Sequence, residues 1–257
     1  MKQSTPRFLA LLMLSTIIVI GCGGGGGTAN PPPPPTNASP GGIWEGTSST
    51  GGTILGLVTE TGEFHFLQDD GVQYFGTVNT SQNALSANFT GVTQIGTVFL
   101  DGSTTGTGTL TGTVQERMSM SGNSSFRTAG GTNVASSVTL TYDNLYERDS
   151  SLATIAGNYL DTTTNAVINV NGNGVVFSQD AVTGCIVNGT ISIIDARYNA
   201  YRVQYSFSSC RAPYTILNGT TANGLGALDN TVAPEQAIIG VVNATAGYAL
   251  TGIFPRT

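Results

Sequence analysis

Basic residues are scarce in this sequence, and lysine is almost absent. Only 9% of the 257 residues are charged, and Lys2 is the only lysine. Once Lys2 and Arg7 are set aside, seven arginines remain against 15 acidic residues, so the rest of the chain is acidic. Nucleic acids and anionic lipid surfaces are bound through basic patches. We therefore expect no nucleic-acid partner and no electrostatic adhesion to lipid.

Metal-ligating side chains are also few. The chain has one histidine, His65, and three cysteines, Cys22, Cys185 and Cys210. A zinc site needs a cluster of His, Cys or carboxylate ligands at regular spacings, and His65 has no partner at such a spacing. We therefore expect no metal site and no cofactor.

Helical periodicity is missing from almost the whole chain. Glycine numbers 35, and threonine, serine and asparagine are frequent, a composition typical of β-rich proteins with many turns. Residues 63–68 alternate so that Phe64 and Phe66 share one face of a strand, and residues 72–78 alternate in the same way. Only the stretch from Ser150 to Ile155 has helical character. The predicted fold class is all-β, with two tandem small antiparallel β-barrels or sandwiches.

The beginning of the chain has the pattern of an export signal. Lys2 and Arg7 precede an apolar run of about 13 residues at 8–20, and small residues follow. A run of this length is too short to span a bilayer as a helix, which takes about 20 apolar residues. We therefore expect a signal peptide over residues 1–21.

The predicted signal peptide ends in a short motif that is similar to one found in a known class of exported proteins. Val-Ile-Gly-Cys at 19–22 resembles the lipobox of bacterial lipoprotein precursors, and the resemblance implies that Cys22 becomes the lipid-bearing N-terminus. Gly23 stands where such proteins carry aspartate when they are kept at the inner membrane. The resemblance therefore implies an outer-membrane lipoprotein, whose partner is the membrane through its lipid anchor. Residues 23–42 read GGGGGTANPPPPPTNASPGG, so residues 22–42 form a lipidated, flexible and then stiff tether.

The remaining chain looks like two related halves, 43–148 and 149–257. Four short motifs recur in the same order, as expected for repeated architecture. They are Gly42-Ile43-Trp44 with Gly157-Asn158-Tyr159, Phe66-Leu67-Gln68-Asp69 with Phe177-Ser178-Gln179-Asp180, Phe75-Gly76-Thr77-Val78 with Asn188-Gly189-Thr190-Ile191, and Leu110-Thr111-Gly112-Thr113 with Leu217-Asn218-Gly219-Thr220. The Gly-x-Trp opening resembles the start of lipocalin- and avidin-like barrels, and the folded part resembles uncharacterised proteobacterial surface lipoproteins with small calycin-like barrels.

With Cys22 taken by lipid, two cysteines remain, Cys185 and Cys210. An even number of cysteines in an exported protein is consistent with a disulfide, because the compartment is oxidising. Alternating runs at 185–193 and 201–207 flank a turn, which predicts a β-hairpin. Pairing Ile193 with Tyr201 places Cys185 opposite residue 209, one residue short of Cys210. A disulfide between the two cysteines therefore requires a bulge or a strand that has already ended.

Several polar side chains could act in catalysis or bind a metal ion, and each could instead have only a structural role. His65 could be a general base or a metal ligand, but we expect a polar side chain on the solvent face of its strand. Asp69 with Asp70, and Asp101, could bind calcium through their carboxylates. Each stands beside a glycine, Gly71 or Gly102, and we expect hairpin turns there.

One strand of the first half is rich in threonine. Thr105, Thr107, Thr109, Thr111 and Thr113 alternate with Gly106, Gly108, Leu110, Gly112 and Val114. A flat threonine array is typical of ice- or carbohydrate-binding surfaces. Threonine is also a good exposed strand residue, and one strand does not make an array, so we expect a solvent-facing strand.

The sequence specifies location and fold class more closely than activity. We interpret the protein as a non-enzymatic binding or envelope-interaction module, with an unidentified small ligand or protein partner and no catalytic residues. One alternative is a periplasmic hydrolase of envelope sugars or peptides that uses paired carboxylates, such as Glu63 with Asp69. Another alternative is an enzyme inhibitor.

Overall fold

The computed structural model describes residues 36–257, so the predicted signal, Cys22 and most of the tether lie outside the described residues. The first half contains eight strands: β1 Gly42–Ser48, β2 Thr53–Val58, β3 Glu63–Gln68, β4 Gln73–Ser81, β5 Ala84–Val92, β6 Thr105–Gln115, β7 Ser119–Thr128 and β8 Asn133–Asp143. The second half contains β9 Gly157–Leu160, β10 Val167–Val170, β11 Val175–Gln179, β12 Ile186–Ile193, β13 Tyr201–Ser208, β14 Thr221–Asp229, β15 Gln236–Asn243 and β16 Tyr248–Pro255. Within residues 36–257, no helix has the length and apolarity needed to cross a membrane.

The connection between the halves holds two short helical turns. A 3₁₀ helix spans Asn144–Glu147, and helix α1 spans Leu152–Ile155. The Ser151 side chain accepts a hydrogen bond from the Thr154 backbone N–H and so begins α1. The helical character of 150–155 is thus confirmed, and the predicted division after residue 148 falls inside this connection.

Each half forms one antiparallel sheet in which consecutive strands are neighbours. In the first barrel, β1 pairs with both β2 and β8, so the sheet closes on itself. In the second barrel, β9 and β16 meet at the bridge between Tyr159 and Arg256, and the Thr257 N–H donates to the Asn158 carbonyl at 2.9 Å. The prediction of tandem β-barrels is confirmed. In the first barrel, closure removes the exposed edges that strands rich in threonine would otherwise present to other chains.

Alternating side chains fill the interior of the first barrel. Trp44 on β1 is fully buried, and its indole N–H donates to the Pro40 carbonyl at 3.0 Å. Large rings fit beside neighbouring strands because glycine stands directly opposite them. Gly108 pairs with Phe89, and a Cβ on Gly108 would lie 2.4 Å from the tip of that ring. This close approach explains the glycine at position 108 of β6.

The repeated motifs agree with the architecture only in part. Trp44 and Tyr159 are both buried on the first strand of their barrel, and Gly76 and Gly189 both lie on the fourth strand. Phe66 and Phe177 both lie on third strands but on opposite faces, because Phe66 is 8% exposed and Phe177 is 47% exposed. This match is wrong by one residue, and such a slip moves a side chain to the other face of a strand.

The fourth match also fails in position. Leu110–Thr113 lies within β6, the sixth strand of its barrel. Leu217 ends the 3₁₀ helix Tyr214–Leu217, and Thr220 precedes β14, the sixth strand of the second barrel. Glycine and threonine favour both strands and turns, so their short matches do not fix a register.

The predicted hairpin and its register are correct. Ile193 pairs with Tyr201 and Ile186 pairs with Ser208, after which β13 ends. Ser209 has a left-handed backbone conformation, with φ of 61°. The chain thus turns immediately before Cys210, and the sulfurs of Cys185 and Cys210 lie 2.07 Å apart. Of the two possibilities, the strand that has already ended is the one observed.

The outer faces of the two barrels pack against each other. Ile43 and Leu57 of the first barrel share a buried apolar cluster with Leu225 and Ala227 of the second. The Gln73 side-chain amide donates to the carbonyls of Val241 and Leu250 at 3.2 and 2.8 Å. Tyr146 from the connection stacks on Tyr198, with ring centroids 4.8 Å apart. The barrels therefore form one compact unit over the described residues 36–257.

Candidate functional site

His65 lies in the interface between the barrels, not on a solvent face. Its side chain is on the opposite side of β3 from Phe64 and Phe66, as predicted, but it is only 7% exposed because the second barrel covers it. The ring stacks on Phe75 at 5.5 Å, and Nδ1 is buried without a partner among residues 36–257. Burial lowers the pKa of His65 to about 4, so the side chain is neutral at pH 7.

The structure does not bring the candidate carboxylates together. The Arg202 guanidinium of the second barrel donates two hydrogen bonds to Glu63, at 2.8 and 2.5 Å. Asp69 lies just beyond the other end of β3, about 20 Å away at 3.3 Å per residue. It accepts hydrogen bonds from the backbone and hydroxyl of Thr53. A Glu63–Asp69 pair is therefore wrong, since catalytic carboxylates of glycosidases lie about 5 to 10 Å apart.

The two Asp-Gly segments are turns, as predicted. Gly71 and Gly102 have φ of 87° and 80°, in the left-handed region that glycine favours. The Asp70 carboxylate accepts from the Val72 N–H at 3.0 Å. The Asp101 carboxylate accepts from Ser103 and Thr128, and these hydrogen bonds hold its pKa well below the usual range. Residues 36–257 contain no group of three His, Cys, Asp or Glu side chains placed to hold a metal ion.

The threonine strand faces outward, as predicted, and its neighbours extend the pattern. Four of the five threonines are exposed, and glycine, Leu110 and Val114 point into the barrel. Flanking strands place further small polar residues beside them: Ser86 and Asn88 on β5, Ser121, Asn123 and Ser125 on β7, and Ser137 and Thr139 on β8. The surface of short hydroxyl and amide side chains therefore covers four strands, which the sequence of one strand did not indicate.

A cavity of about 350 to 360 Å³ lies inside each barrel, and neither was located from the sequence. The first cavity, of about 360 Å³, opens where the β1–β2, β3–β4, β5–β6 and β7–β8 connections meet. Its walls are mostly apolar. The lining side chains include Ile54, Phe64, Phe66, Val72, Tyr74, Phe89, Phe99, Leu110, Phe126, Val138 and Leu140.

Aromatic rings form one wall of the first cavity. Phe89 and Phe126 are nearly parallel at 6.0 Å, and Tyr74 contacts each of them edge-on at 5.6 and 5.7 Å. Phe99, from the β5–β6 loop, packs on Phe126 at 5.4 Å and reaches across from the mouth. Burial, with a smaller effect from the Asp70 carboxylate, raises the pKa of Tyr74 to about 12, so its hydroxyl stays protonated.

A few polar groups lie among these apolar walls. Ser124 on β7 and Ser136 on β8 share a hydrogen bond of 2.7 Å between their hydroxyls. Gln68 and Asp70 lie at the mouth, where the Gln68 amide donates to the Asp70 carboxylate at 3.1 Å. A mostly apolar cavity with a few fixed polar groups is the usual form of a small-molecule site. Alternation at 72–78 places Tyr74 on the same face as Val72 and Val78, but it does not show that space remains beside the ring.

Comparisons with known proteins add little to this description. No known protein family matches the sequence, and no curated protein matches it. Among solved structures, Aeromonas veronii immune modulator A aligns over 86% of this chain and 96% of its own, with 11% identity and a TM-score of 0.36. A likeness at this level supports no conclusion about activity.

Proposed function

We propose that the protein is an outer-membrane lipoprotein of the bacterial envelope whose first barrel binds a small apolar molecule without catalysing a reaction. The observation that carries the binding role is the 360 Å³ cavity with its aromatic wall. Engineered apolar cavities of about 150 Å³ already bind benzene. A cavity of more than twice that volume has room for a larger aromatic or aliphatic ligand.

The mouth of the first cavity suits an apolar ligand. Val98 and Leu100 flank Phe99 in the β5–β6 loop and are both exposed, and Phe99 and Leu100 line the cavity. Large apolar side chains exposed beside a cavity favour the capture of apolar molecules from water. The Gly- and Pro-rich segment that follows Cys22 would serve as a spacer between the anchor and the folded chain.

Filling the first cavity should weaken binding at that site. Ser124→Phe places a ring inside the barrel, whereas Ser125→Phe places the same ring on the outer face of the same strand. With 2-naphthol as a fluorescent probe, we expect Ser124→Phe to weaken binding at the first site at least about tenfold, the scale of one lost apolar side-chain contact. Ser125→Phe should bind like the parent. Equal affinities for all three proteins would contradict the proposed site.

Cys22 should be the site of acylation. The proposal is supported by the Val-Ile-Gly-Cys motif at 19–22 and by the Gly- and Pro-rich segment after it. We expect labelled palmitate to enter the wild-type chain in a Gram-negative host and not Cys22→Ala. As the control, Cys185→Ser keeps the motif and should still be labelled. Label in the Cys22→Ala protein would refute the lipoprotein assignment without bearing on the barrel cavity.

A further inference from the structure

The cavity of the second barrel differs from the first in its construction. It encloses about 350 Å³ and is reached beside the incompletely closed strands β9 and β16, because residues 161–164 and 251–254 both line it. The inner wall is apolar and includes Ile168, Val187, Phe207, Leu217, Ile239, Val241 and Leu250. Cys185, one of the two disulfide-bonded cysteines, also lines the cavity.

A buried hydroxyl without a partner lies in this apolar wall. Tyr205 lines the cavity, is 7% exposed, and its hydroxyl has no hydrogen-bond partner among residues 36–257. Burial raises the pKa of Tyr205, so the hydroxyl is neutral. Gly189, directly opposite on β12, makes room for the ring, because a Cβ there would lie 2.6 Å from it. An unpaired buried hydroxyl is costly, so it marks a position that a ligand atom would satisfy.

The charges that line the second cavity are all negative. Asp161 and Asp180 are the ionisable carboxylates there, and no arginine, lysine or histidine lines it among the described residues. Asp180 is buried and accepts hydrogen bonds from the Thr183 hydroxyl at 2.6 Å and from the Val182 N–H at 2.7 Å. A ligand carboxylate would therefore meet like charges and no basic partner, which strongly disfavours anions.

The first barrel contributes to the same cavity. Gln94 and Ile95, from the β5–β6 loop, line it. This segment pairs with β16, since the Ala249 N–H donates to the Thr93 carbonyl at 2.9 Å and the Ile95 N–H donates to the Ala249 carbonyl at 3.1 Å. The site is therefore complete only when both barrels are docked.

We propose that the second barrel binds a neutral small molecule with an apolar body and one hydroxyl or carbonyl oxygen, which hydrogen-bonds to the Tyr205 hydroxyl. The apolar walls accommodate the body of the ligand, and the Tyr205 hydroxyl favours ligands that carry an oxygen atom. The carboxylates of Asp161 and Asp180 disfavour ligands that carry a carboxylate. This site is separate from the proposed site in the first barrel, and either one can exist without the other.

The test compares three probes of similar size: 2-naphthol, naphthalene and 2-naphthoate. Binding is measured by fluorescence on the full chain carrying Cys22→Ala and Ser124→Phe, so that neither acyl chains nor the first cavity contribute. We expect 2-naphthol to bind, naphthalene to bind about tenfold more weakly, and 2-naphthoate at least about a hundredfold more weakly. Tightest binding of the carboxylate, or no preference for naphthol over naphthalene, would overturn the proposal.

Tyr205→Phe removes the hydroxyl alone. It should lower the affinity for 2-naphthol about tenfold and leave that for naphthalene unchanged. It should also raise the melting temperature of the ligand-free protein, because an unpaired buried hydroxyl is lost. Unchanged 2-naphthol affinity would show that Tyr205 does not bind the ligand oxygen.

Filling the second cavity with a large side chain tests whether 2-naphthol binds there. Ser178 is buried and lines the second cavity, whereas Gln179, the next residue on β11, is exposed. Ser178→Phe should abolish the remaining 2-naphthol binding, and Gln179→Phe should not. Binding that survives both variants would place the probe elsewhere and refute the site. Because the first cavity is already filled in this background, the result is independent of binding there.

Discussion

Lowering the pH from 7 to 5 should destabilise the folded chain by about 2 kcal/mol through His65 alone. The pKa of this side chain falls from 6.5 to about 4 on folding, first because the interface between the barrels buries it. The nearby Glu63 carboxylate and the Gln73 side chain raise the pKa, but burial, together with a smaller effect of the Arg202 guanidinium, lowers it by more. Below pH 6.5 the unfolded chain takes up a proton that the folded chain does not, so stability falls as the pH decreases.

The pH window separates His65 from the carboxylates. As the pH falls, the His65 contribution is lost progressively from about pH 6.5 down to about pH 4. Asp101 and Glu147 have lowered pKa values, so their stabilisation is present above the unfolded carboxylate pKa and is lost only at lower pH. His65 is the only histidine in the chain. The slope between pH 7 and pH 5 therefore reports this one side chain.

The measurement is urea unfolding at pH 7, 6 and 5 for the wild-type chain and for His65→Gln. Glutamine is polar and of similar size but does not titrate in this range. We expect the free energy of unfolding of the wild-type chain to decrease by about 2 kcal/mol and that of His65→Gln to stay nearly constant. Equal slopes for the two proteins would show that His65 is not buried in its neutral form.

His65 also shows what strand alternation can and cannot reveal. Period-2 patterning placed Phe64 and Phe66 on one face and His65 on the other, and that assignment is correct. The pattern does not say whether water or another domain covers the second face. Polar residues suggested solvent, but the interface uses Glu63 in an ion pair with Arg202, 139 residues away along the chain. A contact between distant segments leaves no local periodicity.

The cavities were beyond sequence reasoning for a related physical reason. Alternation identifies inward side chains such as Tyr74 and Tyr205, but the unfilled space depends on the summed volumes of eight strands. The lining of the second cavity by Gln94 and Ile95 depends in addition on how the barrels dock. In contrast, the register of β12 with β13 was predictable, because the turn at 194–200 and the flanking alternation determine it.

Removing the disulfide should lower stability by about 3 kcal/mol. Cys185 and Cys210 close a loop of 25 residues that contains the whole β12–β13 hairpin, and the chain-entropy estimate for a loop of this length is about 3 kcal/mol. Both cysteines are buried, and Asn218 holds the Cys210 backbone by hydrogen bonds of 2.7 and 3.0 Å. The bridge therefore restrains a segment that is already ordered in the folded state.

The docked barrels determine how this loss will appear on heating. If the two barrels were independent, they would melt separately, and the loss of the disulfide would affect only the second. Buried apolar clusters and the hydrogen bonds of Gln73 instead join the barrels, so we expect one cooperative transition. For a chain of this size, a loss of about 3 kcal/mol corresponds to a decrease in melting temperature of about 6 to 12 °C.

Calorimetry of the protein carrying Cys185→Ser and Cys210→Ser tests both the bond and the coupling. The variant should give a single transition at the lower temperature, whereas Ser208→Ala, which changes an exposed residue near Cys210 and leaves both cysteines in place, should melt like the parent. Two transitions, of which only one is shifted, would show that the barrels unfold independently. An unshifted single transition, or two free thiols in material from the periplasm, would refute a stabilising bond between Cys185 and Cys210.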